Sequence, residues 1–310
     1  MCIRDRDIYE RYKKIEDLPV KTIIQMPENK KNLLGVIHIL HGMCEHKDRY
    51  KEMLRYFADR GYVVVISDMR GHGENVEYVK DLGYFGENGA DLLVEDVHAV
   101  NVFIHNKFPD LKVILIAHSM GSLVARVYMK KYDIDIDFLF LSGAVSDSIG
   151  KYVGLVLSEL QSLLFEDSDN SRLIDYLMYN KYRKKFKNGL NNCWLSKDDA
   201  VVEKYNNDER CNFKFKINGY NSLFKLMIRA YSKKGWAVKN KSLPICFIVG
   251  REDVYVGNEE KLKKQADFLK RAGYENVEYH MFDNMRHEIF NEKEHTKVWD
   301  YILNNIEKRL

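Results

Sequence analysis

A chain of 310 residues with a net charge of +3 and 45% hydrophobic residues can bury one large core, with or without an inserted unit, at roughly 150 residues per domain. The near-neutral charge excludes the strongly basic balance of a dedicated nucleic-acid binder, and four prolines with this apolar content exclude a largely disordered chain. No stretch approaches about 18 uninterrupted apolar residues, so no membrane-spanning helix is expected. The opening MCIRDRDIYERYKK is charged where a secretory signal needs an apolar core, which points to a cytoplasmic protein, and MCIRDR itself fits no structural pattern.

In chain order, VKTIIQMPENKKNLLGVIHIL predicts an antiparallel hairpin turning at Asn29 to Asn32, with LLGVIHIL (33–40) as its second arm. YVVVISD (62–68) is the next apolar run, followed by a helix whose inward stripe is Leu93, Val97, Val100 and Ile104. KVILIA (112–117), FLFLSGA (138–144) and PICFIVG (244–250) are apolar throughout, as strands covered on both faces are. A helix with Leu262, Ala266 and Leu269 inward, the strand VEYHMF (277–282) and a helix with Trp299, Ile302 and Ile306 inward complete the series. Strand and helix alternating in this way imply right-handed crossovers and an α/β layered fold around a mostly parallel sheet. The alternation stops over 145–236, which has no strand run and is rich in Tyr, Lys and Asn. A helical cap insertion there would divide the core into 1–144 and 237–310. The stretch 145–241 also carries about seven more basic than acidic residues. Cys2, Cys44, Cys193, Cys211 and Cys246 are scattered without a CxxC spacing, so reduced thiols are expected rather than disulfides or a zinc site.

The run ILIAHSMGSLVAR turns from strand to helix at Ser119. Such a corner exposes a hydroxyl at the carboxyl end of the sheet, provided that the residues two before and two after are small, as Ala117 and Gly121 are. By itself the string also fits an ordinary helix N-terminus capped by Ser119. Three further turns stand at strand ends in the order nucleophile, acid, histidine. VGREDVYV offers Asp253, with Glu252 as the rival acid, FDNMRHEIFNE offers His287, and HILHGMCEH offers the backbone N–H of Met43. His118 points away from the serine in such a turn and is not assigned as the base. His41, His46, His72 and Cys44 lie in different loops without HExxH spacing and read as structural rather than metal-binding. RGHGEN lacks the spacing of a dinucleotide or phosphate-loop fingerprint and reads as a turn beneath the site.

HGMCEHKDRY, DMRGHGEN, AHSMGS, VGREDVYV and MRHEIFNE, in this order and spacing, resemble the monoacylglycerol lipase and lysophospholipase branch of the α/β-hydrolases, also grouped with the serine aminopeptidases. The insert matches too, at NCWLSKDDAVVEKYNNDERCNF, and the departure is Ala117 where the family usually has glycine. The resemblance implies an α/β-hydrolase fold with a helical cap and a carboxylic ester hydrolase with Ser119 as nucleophile, His287 as base and Asp253 as its orienting acid. The N–H groups of Met43 and Met120 would form an oxyanion hole. No metal or organic cofactor is implied, and the substrate would be a small-molecule or lipid ester, with a monoacylglycerol or a lysophospholipid foremost. A short-chain carboxylesterase or thioesterase, peptide hydrolysis, and an inert ligand-binding relative are the alternatives.

Within the insert, Val153, Val156, Leu157, Leu160 and Leu164 stand at helical spacing. The stripe reads as core packing, with an acyl-chain wall at Val153, Val156, Leu157 and Leu160 or a membrane-facing surface as the functional readings. With the basic run KYRKKFK (181–187) it would suit transient contact with a lipid surface, and so a cytoplasmic protein peripheral to the membrane.

Overall fold

The computed structural model describes residues 18–186 and 189–309. The opening MCIRDR with Cys2, and Lys187 of the basic run, lie outside the described residues. Among the described residues seven strands form one sheet: β1 (Thr22–Gln25), β2 (Gly35–Leu40), β3 (Tyr62–Ser67), β4 (Val113–His118), β5 (Phe138–Ser142), β6 (Ile245–Gly250) and β7 (Val277–Phe282). Their order is β1-β3-β2-β4-β5-β6-β7, parallel except for β1. Every residue of β2 to β6 is buried, as two-sided coverage of a parallel sheet requires.

The hairpin expected at Asn29 to Asn32 does not form. β1 is antiparallel, but its partner is β3, with Ile24 opposite Val65. Both sides of β2 are already occupied by parallel neighbours, β3 and β4. β1, with only Ile23 buried, suits the sheet edge, whereas the wholly apolar β2 suits its interior.

Alternate residues of one strand feed opposite layers. From β4, Val113 and Leu115 pack with Leu93, Val97 and Val100 of α2 (Gly89–Lys107) and with Leu123 and Val124 of α3 (Met120–Tyr132). Ile114 and Ile116 pack on the other face, with Met53, Leu54 and Phe57 of α1 (Lys51–Ala58) and with Trp299, Ile302 and Ile306 of α9 (His295–Arg309). Leu262, Ala266 and Leu269 of α8 (Glu259–Ala272) complete the first layer.

Between β5 and β6 stand α4 (Gly150–Ser162), α5 (Arg172–Lys185), α6 (Asp199–Asn207) and α7 (Ile217–Tyr231). Tyr220, Leu223, Phe224, Leu226 and Met227 of α7 join the buried core, so α7 seats this segment on α3. At Gly154 the Phe224 ring presses against α4 so closely that a Cβ would lie 2.3 Å from Cζ; any larger residue there requires the ring or the helix to shift.

Candidate active site

Ser119 stands between β4 and α3 with φ 50° and ψ −113°, a conformation that costs a non-glycine residue about 1–3 kcal/mol. Its hydroxyl does not cap the helix, and its N–H donates to the Ser142 carbonyl at 2.9 Å. A Cβ at Gly121 would come within 2.7 Å of the carbonyl oxygens of Leu40 and His41, which is the steric reason for the small residue there. Ala117 is fully buried between β2 and β5, and its methyl fits.

His287 lies on the loop after β7, 168 residues from Ser119 in the chain, with Nε2 2.8 Å from the Ser119 Oγ. Its Nδ1 is 2.8 Å from Asp253 Oδ2 on the loop after β6. The carboxylate accepts a hydrogen bond from Nδ1–H, leaving the Nε2 lone pair to the serine hydroxyl. Asp253 Oδ1 accepts from the Tyr255 N–H at 2.8 Å, which locks its rotamer. Glu252 instead meets Lys197 Nζ at 2.7 Å at the surface. Burial pulls the His287 pKa down, but the Asp253 charge and hydrogen bond, then the charges of Glu288 and Glu45, outweigh it, and the net shift is upward from 6.5. His118 turns away from Ser119 to Ser142 Oγ at 3.1 Å. Burial, then the His287 charge, pushes it down to about 4.

The turn after β2 brings Met43 to the same cavity as Ser119, Met120 and His287. Its geometry is held by Glu45, whose Oε1 accepts from the Gly42 N–H at 2.5 Å and from the Tyr50 hydroxyl at 3.0 Å. Arg49 joins Glu45 Oε2 at 2.7 Å to Glu288, which it grips at 2.9 and 2.6 Å. The turn carrying Met43 is thereby tied to the loop carrying His287. Burial raises the Glu45 carboxyl, but Arg49 and the neighbouring histidines, with the Gly42 N–H, bring it down to about 2. Sequence reasoning missed this trio. The available signal was the charge flanking two motifs, CEHKDRY and RHEIF.

The histidines around this turn are structural in their bonding. His41 accepts the Met69 N–H at Nε2 (2.7 Å) and donates from Nδ1 to the Gly42 carbonyl (2.8 Å). His72 accepts from Cys44 N–H and donates to the Arg70 carbonyl, so neither ring keeps a lone pair for a metal. His46, Asp208 and Cys211 place potential ligand atoms within 4.8 Å of one another. His46 Nε2 is, however, bonded to Asp208 at 2.9 Å, and Arg210, paired with Asp48 at 2.9 Å, lies 3.8 Å from the same Asp208 carboxylate. Cys44, Cys193, Cys211 and Cys246 are buried free thiols.

The cavity has a volume of about 150 Å³. Leu123, Val145, Leu223 and Met227 supply its apolar wall, Met178, Tyr179 and Trp194 stand over it from the segment after β5, and Asp175, Arg183 and Lys214 bring charge. The expected acyl wall of Val153, Val156, Leu157 and Leu160 is a correction: none of them lines this cavity. Leu157 packs partly buried against the core, whereas the other three, with Leu164, are exposed. The cause is that α4 turns its small residues Gly154 and Ser158 towards α7, leaving the bulky stripe on the outer face.

The serine aminopeptidase S33 family matches residues 31–294. Phospholipase YtpA of Bacillus subtilis is 25% identical over 268 residues, covering 86% of this chain and 92% of that one. A monoacylglycerol lipase of Mycolicibacterium smegmatis is 31% identical over 112 residues, 35% of this chain and 37% of that protein. Among solved structures, a carboxyl esterase from Bacillus coagulans aligns with a TM-score of 0.85 at 24% identity, covering 94% of both chains, a likeness that shows the fold. With a sheet of this order, helices on both faces and a family match over most of its length, the chain is an esterase/lipase-type α/β-hydrolase and belongs to the serine aminopeptidase S33 family.

Proposed function

We propose that Ser119, His287 and Asp253 act as a catalytic triad on the carboxylic ester of a monoacyl lipid. His287 removes the Ser119 proton as Oγ attacks the acyl carbon, then delivers it to the departing alcohol; water, activated by the same imidazole, releases the fatty acid from the acyl-enzyme. Asp253 holds the tautomer and stabilises the imidazolium. The N–H groups of Met43 and Met120 receive the developing oxyanion, each worth about 3 kcal/mol in comparable sites. The observation that carries this reading is the unbroken relay from Asp253 Oδ2 through His287 to Ser119 Oγ, two contacts of 2.8 Å at the wall of a cavity with an apolar side.

The relatives' names, phospholipase and monoacylglycerol lipase, support a monoacyl lipid, as does a cavity that pairs an apolar wall with polar groups. One observation favours the second reading, a short-chain carboxylesterase or thioesterase. A volume of about 150 Å³ lies below the roughly 300–1,000 Å³ of typical ligand sites, so a long acyl chain requires the segment over the site to shift. In our reading residues 145–236 are the cap that makes this shift. The exposed outer face of α4 and α5 is the surface through which the protein meets a membrane from the cytoplasmic side. Among the described residues no helix is long and apolar enough to cross one.

The test is labelling by a fluorophosphonate probe followed by a chain-length series of p-nitrophenyl esters. Labelling is expected in the wild type and is abolished in Ser119→Ala and His287→Ala; a folded wild type that stays unlabelled makes the protein an inert binding relative. Preference for acyl chains longer than acetyl supports the lipid substrate, and preference for acetyl supports the carboxylesterase.

A further inference from the structure

The cavity at Ser119 contains one charge imbalance that the triad does not use. On α5, Asp175 is buried, and its Oδ2 meets Arg183 Nη2 at 3.0 Å and Lys214 Nζ at 3.8 Å. Two cations therefore face one carboxylate oxygen, and both cationic side chains are nearly half exposed, at 45% and 47%. The other carboxylates lining the cavity, Glu45 and Glu288, are bound to Arg49 and give Arg183 and Lys214 no counter-charge. A positive charge is left over on the wall built from α5 and the loop before α7. Asn192 and Asn212, on that same wall, spend an amide–amide hydrogen bond of 2.8 Å on each other.

A neutral glycerol head group needs hydrogen bonds but brings no charge. An anionic one lets the fork of Arg183 bind two oxygens while Lys214 acts as a point charge beside it, the division of labour between Arg and Lys at phosphate sites. We infer that Arg183 and Lys214 form a subsite for a phosphate-bearing head group, so that the preferred substrate is an anionic lysophospholipid rather than an uncharged monoacylglycerol. This inference rests on the triad reading above. The bond broken is still the carboxylic ester: water adds OH to the acyl carbon and H to the glycerol oxygen, and the phosphate leaves unaltered on the glycerol.

The test compares fatty-acid release from 1-oleoyl-lysophosphatidylglycerol and from 1-monooleoylglycerol, each diluted in the same excess of neutral detergent micelles so that surface charge does not differ. The wild type is expected to show the higher kcat/KM on the phosphate ester. Arg183→Gln combined with Lys214→Gln lowers the ratio of the two kcat/KM values at least tenfold, mainly through KM. Lys214→Gln alone, which leaves the Arg183–Asp175 pair in place, lowers the ratio in the same direction should the double variant fold poorly. Glycerol 3-phosphate and inorganic phosphate are then tested as inhibitors of p-nitrophenyl butyrate hydrolysis. Stronger competition by glycerol 3-phosphate supports a head-group site, whereas equal competition with an unchanged lipid ratio assigns the cations to free phosphate and overturns the proposal. Loss on both lipids in equal proportion also overturns it. Fluorophosphonate labelling separates the failures: a labelled enzyme with no phosphate preference refutes the subsite alone, and an unlabelled wild type refutes the triad reading on which it rests.

Discussion

Ser119 sits in a backbone conformation that a serine avoids, and its hydroxyl is spent on His287 rather than on capping its own helix. A buried imidazole whose pKa is raised is useful as a base only above that raised value. The proposed mechanism requires neutral His287, so kcat/KM should rise with pH along an acid limb centred above 6.5. Asp253→Asn removes the largest upward influence on the ring and permits the wrong tautomer. A fall in kcat of about 10⁴-fold is expected, together with a shift of the acid limb to lower pH. The check is a pH profile of kcat/KM for both proteins on a soluble ester, and an unmoved limb would mean that the Asp253 charge does not set the basicity of His287. Glu252, its sequence neighbour, meets Lys197 at the surface, so Glu252→Gln is expected to leave that limb in place.

At the scale of elements, α4 departs furthest from the core packing that its pattern suggested. The stripe on α4 has the spacing of a core-facing helix, yet Val153, Val156 and Leu160 are 57%, 54% and 52% exposed; Ile149, Leu163 and Leu164 flank the helix and are exposed as well, and Leu173, Tyr176 and Leu177 extend the apolar surface along α5. Lys181 and Lys184 follow these residues on α5 at helical spacing. Such a band of apolar side chains bordered by basic ones is the composition of a helix lying on an anionic lipid surface. Leu163→Ser with Leu164→Ser should weaken co-sedimentation with phosphatidylglycerol vesicles severalfold. Exposed side chains carry little packing, so the unfolding free energy should change by about 0.5 kcal/mol or less per site. Unaltered vesicle binding would remove the proposed membrane contact. Periodicity shows that one face of a helix is apolar; it carries no information on whether protein, lipid or water covers that face.

Across the whole molecule, Arg49 joins parts of the chain that lie 239 residues apart, linking the turn after β2 to the loop after β7. Arg49→Leu leaves Glu45 and Glu288 buried without their counter-charge, a loss of about 3–5 kcal/mol that urea unfolding would register. Replacing all three groups together, with Glu45→Gln and Glu288→Gln added, should recover most of that stability, because the cost lies in the orphaned charges rather than in a missing attraction. The sequence by itself determined the layered architecture: β2 to β6 are apolar at every position because both sheet faces are covered, and that burial leaves a mark in consecutive residues. Its strand-end turns also offered Ser119, His287 and an acid at Asp253 or Glu252, the family resemblance implied Asp253, and the structure brings Ser119, His287 and Asp253 into contact. Only the tertiary structure decided that β1 pairs with β3 rather than β2, that Glu45, Arg49 and Glu288 meet, and that the α4 stripe faces outward. These outcomes depend on which surfaces compete for the same neighbour in space, and a local pattern of residues does not encode its competitors.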